Sequence, residues 1–580
     1  MSKQFLLACA LLVSAPAAAQ TSADAQLRTL YDAEWRWRQK EFGRLEEDEN
    51  WIAGADYLPR VDPATQQRRL AYWQTALAAL NRIPAAELSE PERINAAVFR
   101  TTLEASVAEQ QFRLWEMPFN ADSNFWSGIA ARQPFQKAAE YDRYLARMRD
   151  VPRYFEEQIA NMRAGLARGF SVPRATLTGR DTSIEAFAIT DPRKNPFYVP
   201  FEKLPDGIPA AEQERLRTAA RAAIAEQIVP AYAKLLRFFR SEYLPRARAT
   251  LAAEVMPDGK AFYQAQIREY TTTDLTAEQI HAIGLKEVAR IQADMEKTKQ
   301  AAGFTGDLAA FIQFLRTDGR FYARTPDELL GVSAYVAKRV DGELKNTIGF
   351  LPRYRFTIRP VPDAIAPFYT AGRGGLESCM MNTYDLPARP LYQIPALTLH
   401  ECSPGHSLQA AIAGEGPNQP AFRRQTYFSG FGEGWGLYTE WLGTKMGIYR
   451  TPYEEFGRQS YEMWRAARLV IDTGIHHQGW SRQQAIDYLA GHTALSQREV
   501  ETEVDRYISW PGQALAYKLG ELTFRRKRAD AERRLGEKFD QRWFHDLVLS
   551  LGSVPLPLLE EQVDRWIDAG GPNPHADTKN

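Results

Sequence analysis

Eight histidines occur in the 580 residues, and five of them fall between positions 400 and 492. The first two stand in LTLHECSPGHSLQ, where His400 is followed directly by Glu401. Imidazoles beside a carboxylate are the raw material of a zinc hydrolase, two rings to hold the ion and an acid to move protons. In the HExxH arrangement the histidines are four apart, so about 400° of helical rotation returns both rings to one face. Here His406 lies six residues after His400, which on a regular helix turns it about 120° away. The two extra residues coincide with Pro404-Gly405. Pro404 cannot donate to the carbonyl of His400 and clashes with it, while Gly405 tolerates backbone closed to other residues. A kink there is the condition for a shared metal. Without it, the same residues describe a helix end with one ring in the core and the other exposed, and the segment alone fits both readings.

Further on, FGEGWGLYTEW places Glu433 and Glu440 seven residues apart on one helical face. Two carboxylates on a helix that also carries Trp435 and Tyr438 are costly to bury unless a positive group faces them. The alternatives are a solvated acidic face and glycines that merely loosen the approach. GFGEGWG is not a dinucleotide fingerprint, because no GxGxxG follows a strand. Arg468, Asp472 and His476 follow one another at four-residue intervals, the spacing of a helical polar ladder. His477 is a candidate for the cleft.

These groups need elements to hold them, and most of the chain reads as helix. Tyr141, Tyr144, Leu145 and Met148 mark one apolar face, as do Phe155, Ile159, Met162 and Leu166. Thr276 with Gln279, Thr325-Pro326 with Glu328, Thr451-Pro452 with Glu454, and Ser481 with Gln484 have capping-box spacing. Residues 171–210 carry six prolines and predict a long irregular excursion, usually functional or mobile. Strand signals gather between 354 and 398, in YRFTIRPVP and SCMMNTYDL. Seventy-two basic and seventy-two acidic residues leave no net charge, so no global field favours nucleic acid or an anionic membrane. Lys3, the apolar run FLLACALLVSA and the small residues of PAAAQ read as a signal peptide cleaved near Ala19. A lipobox ending at Cys9 has almost no apolar segment before it and is the lesser reading. No later stretch predicts an integral membrane segment. The mature chain then keeps Cys379 and Cys402, expected as two buried thiols, with a bridge permitted by an oxidising compartment.

NMRAGLARGFSVPR (161–174), HECSPGH, EGWGLYTE (433–440), RLVIDTGIHHQGWS (468–481) and DRYISWPGQALAYKLG (505–520) together resemble the bacterial "domain of unknown function 885" family. That family is similar to the gluzincin zinc metallopeptidases. Its pattern HExxPGH matches His400, Glu401, Pro404, Gly405 and His406; Ser407 departs from the second His expected there. The resemblance implies Zn²⁺ held by His400, His406 and Glu433, Glu401 as general base, and Glu440 behind the ligands. ISWPGQALAYKLG looks like the loop and helix of helical gluzincin carboxypeptidases, which casts Tyr517 as the oxyanion donor with His477 as rival. Gluzincins hold peptide along an edge strand, so PFYTAGRGGLESCMMNTYDL offers Tyr369, Arg373 and Asn382 as substrate contacts. Arg506 and Tyr507 are further candidates; Arg373 or Arg506 could grip a terminal carboxylate, although a structural ion pair is the commoner role of a single Arg.

The resulting expectation is a mainly α protein, a large two-lobed helical body with a deep cleft and a small β-sheet beside the zinc helix. It divides into a signal peptide (1–19), a helical N-terminal lobe (20–353), a zinc-site region (354–525) and C-terminal helices (526–580). The expected function is exported, periplasmic hydrolysis of small peptides by a zinc metallopeptidase. The alternative is a periplasmic peptide-binding protein or non-hydrolytic pseudoenzyme that keeps the cleft. Peptide length, exo- or endo-action and oligomeric state are not set by these residues.

Overall fold

The computed structural model describes residues 22–44, 54–363, 366, 370–415 and 419–576. The proposed leader, Cys9 and Tyr369 lie outside the described residues. Helix accounts for 68% of the protein, and the described strands form one three-stranded sheet, so the fold is mainly α.

The elements that matter for the site are α1 (Gly259–Thr271), α2 (Ala277–Ala301), β1 (Thr357–Pro360), β2 (Gly372–Arg373), β3 (Ser378–Met381), α3 (Ile394–Glu401), α4 (His406–Glu415), α5 (Ser429–Lys445), α6 (Pro452–His476), α7 (Gln497–Ser509) and α8 (Ala516–Leu535). Capping sets several boundaries. The Thr276–Gln279 and Ser481–Gln484 boxes both close, and Thr451 accepts from the Glu454 amide with Pro452 in the first turn. In each case a side-chain oxygen takes an amide that the helix itself leaves unpaired. Helix α6 is the axis of the molecule: every residue from Phe456 to His476 is buried.

The sheet has the order β1-β3-β2, with β1 parallel and β2 antiparallel to β3. Cys379 of β3 is bridged to Cys402, just past α3, with Cα atoms 5.3 Å apart. The expected pair of buried thiols is therefore corrected to a disulfide. Both cysteines are fully buried, and the strand-to-helix packing that hides them also brings them within bonding reach.

One apolar cluster joins Leu27 and Phe99 to Phe422, Trp435, Phe524 and Val563. The first helices, the site helices and the last helices thus share a core across residues 353 and 525. The proline-rich excursion is made of short turns such as Pro196–Tyr198 and Val199–Glu202. Its Phe197, Phe201, Leu204 and Ile208 are buried in a second cluster with Tyr141, Tyr144 and Phe155, so it is irregular yet firmly packed.

Candidate metal centre

Helix α3 stops at Glu401 because the chain turns at Cys402–Gly405 before α4 restarts at His406. A Cβ on Gly405 would lie 1.8 Å from the His400 carbonyl oxygen and 2.4 Å from that of Leu399, so any larger residue would force the two helices apart. The break turns His406 back. The His400 and His406 rings are 4.9 Å apart, centroid to centroid, and nearly perpendicular at 85°.

Both face Glu433 on α5. Its Oε2 lies 3.5 Å from His400 Nε2 and 3.6 Å from His406 Nε2, and the three ligand atoms fall within 4.8 Å of one another. Zinc bonds of about 2.0–2.1 Å in a tetrahedron require ligand atoms roughly 3.4 Å apart. Two edges of such a tetrahedron are therefore present, and the residues fit the ion. Among the described residues this is the one group of three His, Cys, Asp or Glu side chains close enough to hold a metal.

Helix α5 packs closely against this cluster. A Cβ on Gly436 would come within 2.7 Å of the His400 imidazole, and one on Gly434 within 2.6 Å of the Gly520 Cα on α8. These glycines are close-packing positions, not the flexible approach that sequence alone allowed. Trp435 Nε1 donates to the Pro404 carbonyl at 2.9 Å, and Thr439 Oγ1 to the Leu399 carbonyl at 3.0 Å. Helix α5 is thereby bonded to both sides of the α3–α4 break.

Glu440 stands behind the ligands. Its Oε1 accepts from His400 Nδ1 at 2.8 Å, which fixes the ring so that Nε2 is the atom facing Glu433. Arg465 Nη2 approaches the same oxygen at 3.7 Å. Burial opposes charge on His400, but the Glu433 and Glu440 carboxylates outweigh it and raise its pKa to about 9. Burial likewise opposes the charged form of Glu433, and hydrogen bonds to the two histidines prevail and hold it well below the usual carboxylate range.

Glu401 Oε2 accepts the Gly374 amide at 2.7 Å, so the residue after β2 steers the carboxylate next to His400. Tyr517 lies one turn before Gly520, where α8 crosses α5 beside Glu433. Arg506 Nη2 donates to its phenolic oxygen at 3.4 Å, and the Arg468 guanidinium packs 4.4 Å from its ring centroid. Since Arg has no acceptor, the phenol proton stays available for another group.

Three sequence candidates go elsewhere. His477 sits between Glu254 and Glu278, each 2.9 Å from one ring nitrogen, and twelve residues along α6 from Arg465 put it about 18 Å from the Glu440 end of the site. Tyr507 is 1% exposed, its hydroxyl taking hydrogen bonds from Arg468 Nε and Trp464 Nε1 at 2.9 and 2.8 Å. It is a packing element, not a substrate contact. Asn382 is equally buried and ties the chain together, donating to the Ala366 and Thr370 carbonyls and accepting from the Tyr384 amide. Arg373 is exposed on β2. His476 is structural: Nδ1 accepts from the Ala253 amide, Nε2 donates to the Tyr507 carbonyl, and burial lowers its pKa to about 3.

Sequence reasoning missed Tyr427. More than half exposed, it donates to Glu433 Oε1 at 3.3 Å, and its ring fills the space that a Cβ on Gly432 would enter at 2.4 Å. No spacing rule links it to the histidines, although its position one turn before GFGEGWG was visible.

A family model described as "Bacterial protein of unknown function (DUF885)" matches residues 40–563. The chain belongs to this family. Two solved structures share the fold. One, "the putative lipoprotein from Colwellia psychrerythraea", superposes with a TM-score of 0.86 at 26% identity over 94% of this chain and 100% of its own. The other, "a putative lipoprotein of unknown function from Shewanella oneidensis", gives 0.71 at 19% identity over 93% and 99%. Among curated proteins none matches the chain. The family match spans all the elements that build the candidate site.

Proposed function

We propose that this member of the family is a zinc-dependent metallopeptidase of gluzincin type acting on small peptides. The observation that carries the reading is the break at Pro404-Gly405, which sets His400 and His406 against Glu433 at tetrahedral spacing. His400, His406 and Glu433 would hold the ion, which supplies a water of pKa near 7 and polarises the substrate carbonyl.

The protein's own groups do the rest. Glu440 fixes the His400 tautomer. Glu401, steered by the Gly374 amide, takes a proton from the attacking water and passes it to the leaving amine. Tyr517, its oxygen turned by Arg506, offers its proton to the carbonyl oxygen as negative charge grows there, a contact of a kind that contributes on the order of 3 kcal/mol.

Export is part of the proposal. The two similar structures are described as putative lipoproteins, and no described helix is long and apolar enough to cross a membrane. That likeness favours keeping the Cys9 lipobox beside cleavage near Ala19, and the mass of the mature N-terminus separates the two. For activity, metal analysis is combined with hydrolysis of a peptide mixture by the wild type and by Glu401→Gln. Zinc near one equivalent with hydrolysis abolished in the variant is the expected result; full activity in the variant refutes the mechanism, and metal with no hydrolysis in either protein favours the peptide-binding alternative.

A further inference from the structure

A second concavity adjoins the turn that joins α3 to α4. It encloses about 290 Å³, the lower edge of the roughly 300–1,000 Å³ usual for small-molecule sites. Leu344 of the helix Pro326–Thr347, Phe356 before β1, Leu376 in the β2–β3 turn, and Leu408 and Ala411 on α4 make its wall apolar. Leu351 and Tyr354 also line it, 44% and 46% exposed, and large apolar groups left in water beside a hollow gain from being covered. Ser403 and Ser407 bring the cavity up to the turn itself. Ser407 Oγ donates to the Glu401 carbonyl and accepts from the Gly375 amide, each at 3.2 Å. His400, His406 and Glu433 are not on the lining, so this site is distinct from the metal centre.

The charged residues on the lining are Lys338, Asp341 and Arg355. Lys338 and Asp341 answer each other at 3.2 Å. Glu415 nearby is committed to Arg353 at 3.6 Å and to the Tyr354 amide at 2.8 Å. Arg355 has no such match. Its Nη1 donates to the Pro352 and Tyr354 carbonyls, and among the described residues no carboxylate takes its remaining hydrogens. The lining therefore carries one positive charge in excess. Ser403 adds an independent demand, because it is 2% exposed and its hydroxyl has no hydrogen-bond partner among the described residues. A buried donor left in this way costs stability until something accepts from it.

These features select a ligand. The wall calls for a hydrocarbon body, Arg355 for an anion that its planar fork can match, and Ser403 for an oxygen that accepts a hydrogen bond. An amino acid fits poorly, since its ammonium would meet an excess of positive charge and the one acid on the lining is already paired. A plain alkanoate satisfies all three demands. We propose that the cavity binds a medium-chain fatty acid anion, its carboxylate between Arg355 and Ser403 and its chain against Leu344, Phe356 and Leu408. The site uses no metal-site residue, so its test stands apart from the zinc reading.

Titration calorimetry of the purified protein with octanoate, kept below micelle formation, should give one saturable site per chain. Each methylene buried in an apolar wall tightens binding by roughly fourfold, so octanoate should bind about tenfold or more tightly than hexanoate. Octylamine, octanol and leucine should each bind at least about tenfold more weakly than octanoate. Arg355→Gln should bring octanoate and octanol to near-equal affinity. Ala411→Phe, which fills the cavity, should abolish binding of both. Arg355 is exposed, so its replacement leaves the fold intact and keeps the test decisive should the Ala411 variant fail to fold. Equal binding of octanoate and octylamine, no dependence on chain length, or an anion preference unchanged in Arg355→Gln overturns the site. Uptake of many molecules without saturation marks detergent-like adsorption and overturns it equally.

Discussion

His400 Nδ1 and Glu440 Oε1 meet at 2.8 Å in a setting where the two side chains are 3% and 1% exposed. A hydrogen bond so thoroughly removed from water fixes which imidazole nitrogen faces Glu433, and it couples His400 on α3 to a carboxylate seven residues beyond Glu433 on α5. Loss of such a partner typically weakens metal binding by about 10- to 100-fold. Glu440→Gln should therefore remain folded and lose zinc affinity in that range, as read by competition with a chromophoric chelator. Unchanged affinity would mean that Glu440 serves packing alone.

Gly436→Ala tests the fit between α5 and the first histidine. The added methyl meets His400 at 2.7 Å, and overpacking of this kind costs about 1–3 kcal/mol. We expect a lower unfolding midpoint and, because the imidazole is what must move, a larger proportional loss of bound zinc than of stability.

The Cys379–Cys402 bridge closes a loop of 23 residues in sequence separation, for which the chain-entropy model gives about 3 kcal/mol. Replacing both cysteines by alanine should lower stability by that order in urea unfolding. It should also loosen β3 against the end of α3, raising hydrogen exchange at the Gly374 amide that holds Glu401.

Stability should fall on the acid side. Burial lowers the pKa of His545, and of His476, to about 3. Between about pH 6.5 and 3 the unfolded chain protonates these rings while the folded protein does not, so each subtracts roughly 1.4 kcal/mol per pH unit as pH falls. Asp472 works in the opposite sense: burial raises it to about 7, and its contribution is lost as pH rises toward that value. His545→Gln can still donate to the Thr347 carbonyl and accept from Tyr438, the present partners of the ring. That variant should show a shallower acid-side slope in urea midpoints measured across this range.

Much of this was legible in the sequence. The helix caps at Thr276, Thr451 and Ser481 follow from local chemistry and stand where spacing put them. His400, His406 and Glu433 could be listed, but their convergence depends on a backbone break whose angle no periodicity fixes. His477 and Tyr507 were misplaced because neighbours distant in sequence, Glu254 and Glu278 for one and Arg468 and Trp464 for the other, claim their polar atoms. Tyr427 escaped because its link to Glu433 is tertiary, set by the room above Gly432. The disulfide, in place of the two thiols expected, went unread for the same reason, since it depends on β3 docking beside the end of α3.

The central claim is that one zinc ion belongs between His400, His406 and Glu433. Anomalous diffraction at the zinc edge from crystals of the zinc-treated protein tests it directly. The account predicts a single strong peak about 2.0–2.2 Å from His400 Nε2, His406 Nε2 and a Glu433 oxygen. A peak elsewhere, or none after treatment with zinc, would contradict it.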